Sequence, residues 1–365
     1  MLLYACIILA LFVILVVSIT DCRNNGELQK RQSIRFSTSF YILLFIGVLF
    51  SFWFLTAFRG DSIGNDTVPY LNYYRWIANR GVNPDFQIEM GYQYFCLALS
   101  KISSDPFFLL LICATICYVV CGICICKYSQ NILFSAVLLF CIAFSFFASG
   151  LRQSIAMVLL LIAYEKIKQK KTIFPILLIV FASLFHVSAL IGFLWFLHRY
   201  IPKKPIAVFL IAGIVAALAA TGELNALLST LLKEYESYFD SENAGTGWLG
   251  ISYYALRSSV FYIFMYLAYK GAKKENSLAV SNSILALFTM CLGFSVNLFN
   301  RASLYFLLPI AIDMANVFNS GKIRHRDMWM LLMGIVMLAY FLVTLVFRPE
   351  WNNLYPYEFN WNLSR

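Results

Sequence analysis

The residues of this chain best placed to do chemistry are arginines and carboxylates gathered near the ends of long apolar runs. Arg59, Arg152, Arg257 and Arg301 each stand at or near such an end, where basic residues are otherwise sparse. A guanidinium is planar and permanently charged, so several around one cavity match the oxygens of a diphosphate group. Taken singly, each also fits a snorkelling side chain that runs its stem along lipid to reach water. The carboxylates are Asp61, Asp66, Asp85 and Glu89, all within the polar stretch from Phe58 to Asp105. One of them beside a reacting hydroxyl would serve as general base, its pKa raised where the pocket is desolvated. Asp66, in Gly64–Asn65–Asp66–Thr67, has a second reading as the turn residue that caps a helix over Val68 to Ile77. Asn65–Asp66–Thr67 also fits the glycosylation sequon, which matters only in a secretory-pathway host. His186 stands in the middle of an apolar stretch and reads either as a proton carrier or as a satisfied polar residue. Tyr70, Tyr73, Tyr74, Trp76, Tyr92 and Tyr94 crowd the same polar stretch. Their rings suit stacking on sugars, or an aromatic belt at a membrane surface.

The elements that must position these residues are membrane helices. Of 365 residues, 61% are hydrophobic and only 13% charged, with a mean hydropathy of +0.75. A soluble domain is nearer a quarter charged, so lipid is the solvent. Apolar runs of bilayer length recur along the chain and are continuous rather than alternating, which predicts an all-α polytopic bundle. About ten full spans are expected, at 2–20, 38–57, 106–126, 132–149, 151–164, 206–220, 251–269, 278–296, 302–318 and 328–347. The run Leu2 to Ile19 lacks a basic leader and a small-residue cleavage site, so it reads as a retained span. The net charge of +10 reflects insertion bias rather than nucleic-acid binding. Cys113, Cys117, Cys121 and Cys124 share a helix face with no His, Asp or Glu to complete a metal site, and read as small hydrophobes.

One stretch decides the topology. Residues 174–197 lie between the positive clusters Lys166–Lys171 and Arg199–Lys204. Were they to cross once, Lys270, Lys273, Lys274, Lys322, Arg324 and Arg326 would lie outside, and the acidic stretch Glu223 to Glu242 inside. As a re-entrant helical hairpin with His186 at its tip, they leave every basic cluster inside and most acidic residues outside, as insertion bias requires. Each arm is about 16 Å of helix, so the tip stops within the membrane. Residues 132–164 are too long for one span, which predicts a tight outer turn over Ser149–Ser154 with Arg152 at its tip. The whole chain, 1–365, is then one integral membrane domain with outer loops at 58–105 and 221–250.

Several short segments, taken in order, resemble a known family. They are Phe58-Arg59-Gly60, Gly64-Asn65-Asp66-Thr67 with Tyr70, and Glu89-Met90-Gly91-Tyr92. After these come Leu151-Arg152-Gln153 with Ala156, and Leu184-Phe185-His186-Val187-Ser188-Ala189-Leu190. The set is similar to the EpsG-type branch of the Wzy-like polysaccharide polymerases over about residues 40–200. Beyond 200 only the outline, with Asn300–Arg301 near a span end, supports it. The resemblance implies a GT-C-like membrane glycosyltransferase in the bacterial inner membrane, with its active face periplasmic or extracellular. It implies that undecaprenyl-diphosphate-linked oligosaccharides act as donor and acceptor, as for O-antigen or exopolysaccharide, with a chain-length regulator as a further partner. Arg59, Arg152, Arg257 and Arg301 would bind the diphosphate, and Asp66, Glu89 and His186 would be the catalytic candidates. Tyr70, Tyr74, Tyr92, Gln153 and Asn300 would hold sugar; no cofactor or metal is implied, and no nucleic acid. The competing expectations are a flippase for the same glycans, which would show internal repeats and charges along a path, and a ligase-type transferase.

Overall fold

The computed structural model describes residues 2–20, 38–221, 223, 248–271, 277–296, 298–320, 323–349 and 352–360. The acidic stretch after Glu223, most of the loop 221–250, and the basic residues Arg23, Lys30, Arg31, Arg35, Lys273, Lys274 and Lys322 lie outside them. Among the described residues the chain is helical, with no strand beyond a single bridge between Arg59 and Phe359. Among the described residues five helices are long and apolar enough to cross a membrane, and several shorter apolar ones accompany them. The chain divides into two compact units, residues 1–190 with 324–365, and residues 191–323.

In the first unit the apolar runs become α1 (Leu2–Thr20), α2 (Thr38–Ala57), α5 (Phe107–Tyr128), α6 (Ile132–Phe147) and α7 (Leu151–Lys168). Helix α6 is buried along nearly its whole length and forms the centre, with α1, α2 and α5 against it. Phe52, Phe140, Phe144 and Phe341 interlock there, Phe52 and Phe140 at 4.8 Å between ring centroids. The polar stretch 58–105 folds into two shorter helices, α3 (Thr67–Arg80) and α4 (Met90–Ser100). Residues 174–197 break into α8 (Ile173–Ser183) and a 3-10 helix (Val187–Leu197), with Leu184, Phe185 and His186 between them. Helix α8 packs on α7.

The segment after the last helix is clipped onto the start of the 58–105 stretch. Gly60 N–H donates to the Glu358 carbonyl at 2.8 Å, Asn360 N–H to Phe58 O at 2.9 Å, and Gly64 N–H to Asn353 O at 3.1 Å. Ser62 Oγ donates to Glu358 Oε2 at 2.8 Å, and Tyr357 Oη to the Leu55 carbonyl. Tyr4, early in α1, joins them by donating to Leu354 O at 2.8 Å. A side chain at Gly60 would press on Glu358 at 3.3 Å. At the opposite end of the unit, Asn131 Nδ2 donates to Ser18 O and Asn131 caps α6 through Phe134 N–H.

The second unit holds α9 (Pro205–Ala220), α10 (Trp248–Gly271), α11 (Ser277–Leu292) and α12 (Leu298–Asn319). Helix α11 packs against the other three. Asn282 lies buried in it, accepting from Trp195 Nε1 at 2.8 Å and donating to Phe306 O at 2.7 Å. Buried amides satisfied on both sides fix helix register where apolar packing alone would slide. The last helix, α13 (Arg326–Phe347), returns to the first unit and packs on α1 and α6.

Candidate active site

Three charged or titratable side chains converge where α4 begins, α7 begins and the chain breaks after α8. Glu89 occupies the N-cap position of α4 but makes no capping bond, so its carboxylate is free to reach outward. Its Oε2 pairs with Arg152 Nη1, and its Oε1 accepts from Val187 N–H at 3.0 Å. His186 Nδ1 approaches the same Oε1 at 3.1 Å, near enough for an ion pair though short of hydrogen-bond alignment. Arg152 Nε donates to Tyr70 Oη at 3.5 Å. Burial alone would raise the Glu89 carboxyl; the His186 ring and the Arg152 charge outweigh it and hold it lowered, at about 2. Glu89 is thus a carboxylate at any physiological pH.

Close backbone approaches hold this geometry. Tyr92 N–H, in the first turn of α4, donates to Leu184 O at 3.1 Å, so one helix's free amide meets a carbonyl just past another's end. A Cβ on Gly91 would lie 2.6 Å from that carbonyl oxygen, and only glycine lets the segments meet. Gly64, at φ +85°, is pressed on the Ala148 carbonyl with no room for a side chain. Asp66 N–H then donates to Ser149 Oγ at 3.4 Å and Thr67 Oγ1 to Ala148 O at 3.4 Å. The tight turn is Ala148–Gly150, so Arg152 sits in the first turn of α7 rather than at the turn's tip.

The structure brings Glu89, Arg152, His186 and Tyr70 together and places the other candidates elsewhere. Asp66 is the half-buried N-cap of α3, without a side-chain capping bond. Arg59 is fully buried: Nη1 donates to Thr56 O, Nε reaches Thr67 Oγ1 at 3.5 Å, and Nη2 has no partner. Burial lowers its pKa to about 10, still a cation at neutral pH. A diphosphate has no open route to it in this conformation, because the loop and the C-terminal clip cover what the sequence places at a water boundary. Tyr74 and Tyr92 are corrected in the same way. Both are fully buried, Tyr74 donating to Ser103 O at 2.8 Å, and neither offers a ring face to sugar. Gln153 is buried in α7. Arg257, Asn300 and Arg301 belong to the second unit; Arg257 lies well inside α10 instead of near its end, and the other two open α12. Cys113, Cys117, Cys121 and Cys124 of α5 are buried thiols. Among the described residues no His, Cys, Asp or Glu group has a metal-binding arrangement.

Sequence reasoning missed α4, the Glu89–Arg152 pairing and the whole C-terminal clip. The pairing had a signal, since opposite charges at a membrane boundary seldom stay unpaired. The EpsG family model matches residues 41–359 of the chain. No curated protein and no solved structure matches it.

Proposed function

The chain belongs to the EpsG family, and from that premise we propose that it is a membrane glycosyltransferase that polymerises lipid-diphosphate-linked oligosaccharide units on the outer face of the membrane. The observation that carries the proposal is the junction of Arg152, Glu89 and His186 at one end of the first unit, beside Tyr70. In the reaction, an acceptor hydroxyl attacks the anomeric carbon of the donor chain, and the bond from that carbon to the diphosphate oxygen breaks. The departing diphosphate takes up negative charge, and Arg152 is the guanidinium placed to meet it. Arg257 and Arg301 are further diphosphate candidates, each resting on its own unit's geometry.

The hydroxyl proton needs an acceptor, and Glu89 is a poor one. A carboxyl held at about 2 has little affinity for a proton at neutral pH. His186 takes the proton in this scheme. Glu89 faces its Nδ1, which leaves Nε2 for the reacting hydroxyl, and the carboxylate steadies the imidazolium that forms. Glu89 is then a positioning residue for both His186 and Arg152. Asp66 is a further carboxylate candidate for contact with an acceptor sugar, and Tyr70, one turn along α3, supplies a half-buried ring.

Deleting the gene and resolving the surface glycan on a gel tests the reading. Single repeat units without a ladder support a polymerase; units trapped in the inner leaflet point to a flippase instead. Arg152→Ala and His186→Ala are expected to abolish laddering with the protein still present in the membrane. A wild-type ladder from both variants overturns the assignment.

A further inference from the structure

A row of aromatic rings runs from the Arg152 junction along α3 to a polar surface. Tyr70 meets Tyr92 edge-on at 5.9 Å, and Tyr92 stacks on Tyr73 at 6.3 Å. Tyr73 stacks on Trp76 at 6.3 Å, and Trp76 meets Phe86 edge-on at 4.6 Å. The middle of the row is buried, so only its two ends can touch a ligand. The near end is Tyr70. At the far end Trp76 is half-buried and Phe86 is 38% exposed.

Phe86 is held out by a purpose-built loop. Fully buried Gln93 accepts from Asn83 N–H at 3.0 Å and donates to Asn83 O at 3.1 Å and Ile88 O at 2.8 Å. Those bonds close residues 83–88 into a fixed shape that presses an exposed ring against Trp76. Asn72 and Asn79 flank Trp76 one helical turn on either side, on the same face, and both are exposed. Asp85 adds a carboxylate next to Phe86. Tyr73, more than nine-tenths buried between the two ends, keeps a hydroxyl with no hydrogen-bond partner. A lipid-facing belt has no use for amides and a carboxylate around its rings. A sugar does: its C–H face packs on an aromatic ring while its hydroxyls need donors and acceptors at the rim.

We propose that Trp76 and Phe86, rimmed by Asn72, Asn79 and Asp85, form a glycan subsite that holds a sugar of the chain being extended, apart from the reacting bond. This rests on the polymerase reading for its purpose, though not for the binding itself. A subsite at the far end of the row from Tyr70 leaves the first coupling intact and sets how long a chain stays engaged.

The test uses full-length chain in a strain lacking the native gene, with surface glycan resolved on a gel and membrane protein measured alongside. Trp76→Leu and Phe86→Leu keep apolar bulk and lose the flat ring; they are expected to keep the shortest bands and lose the long ones. Trp76→Phe and Phe86→Tyr are expected to restore the long bands. Purified chain in nanodiscs supplies the second readout, with oligosaccharides cut from the host's own polysaccharide as probe. Their affinity should fall several-fold in Trp76→Leu and hold in Trp76→Phe. Unaltered long bands and affinity in the Leu variants, or Phe variants as defective as Leu, overturn the subsite. If the Leu variants fail to accumulate, Asn72→Ala with Asn79→Ala decides: a shortened ladder supports the subsite and an unchanged one ends it. A gene deletion that leaves the ladder intact instead sinks the polymerase reading, while the affinity measurement still judges the subsite.

Discussion

At the scale of single residues, the site is an ion pair that must be read as a pair. Arg152 and Glu89 are both mostly buried, at 23% and 16% side-chain exposure, so neither charge tolerates losing the other. Arg152→Ala is expected to cost about 1–3 kcal/mol through the stranded carboxylate. Glu89→Gln with Arg152→Met should recover most of that stability in thermal unfolding of detergent-purified protein while activity stays lost. Recovery of neither, or of both, would separate the pair from the chemistry. The same carboxylate makes a pH prediction. Its folded pKa is depressed below the usual carboxyl value, so its contribution to stability is complete above about 4.5 and fades as pH falls toward about 2. Glu89 therefore does not titrate between pH 5 and 8. Glu89→Gln should lower polymer yield throughout that window, and an unchanged yield would contradict the assignment. The sequence showed these residues as charges near a membrane boundary, yet not which met which. Pairing is set by a fold-dependent approach of segments 60 and more positions apart. Arg59 shows the limit more sharply: the sequence puts it at the same boundary, and only the covering segment explains why it is buried.

At the scale of elements, span boundaries were legible because lipid imposes them. A run of bilayer length must be helical from end to end, and α1, α2, α5 and α13 start and stop within a few residues of the apolar runs. Outside lipid that constraint vanishes. Helix α4 is eleven residues of mixed polarity, too short for periodicity to announce, and it exists because Gly91 lets it dock on Leu184. Gly91→Ala tests this coupling. The added methyl meets backbone that cannot move cheaply, so a loss of about 1–3 kcal/mol is expected. The docking contact would open, and with it the Glu89–His186 approach. Activity should fall much further than it does for Gly47→Ala in α2, where a methyl meets nothing within 4 Å. Equal activity in the two variants would show that the α4 contact does not shape the site.

At the scale of the whole molecule, the C-terminal clip constrains how the chain threads the membrane. Residues 353–360 bind residues 58–64 by backbone and side-chain bonds, so the ends of α2 and α13 lie on one side. The chain must then cross lipid an even number of times between them. Among the described residues, helices α5, α6, α7, α9, α10, α11, α12 and α13 supply an even count when each crosses once. A further single crossing by residues 173–197 would make the number odd and tear the clip apart across a bilayer. The hydrophobic pattern alone left that stretch ambiguous, and charge bias resolved it through basic clusters that are partly outside the described residues. If each of those helices crosses once, the clip favours the same reading from hydrogen bonds, which owe nothing to charge. Cysteine labelling in intact cells gives the check: a membrane-impermeant maleimide should reach Asp61→Cys and Glu358→Cys without lysis, and Lys170→Cys only after it. If Glu358→Cys labels with Lys170→Cys rather than with Asp61→Cys, residues 173–197 cross the membrane, the clip does not form, and His186 loses its place beside Glu89.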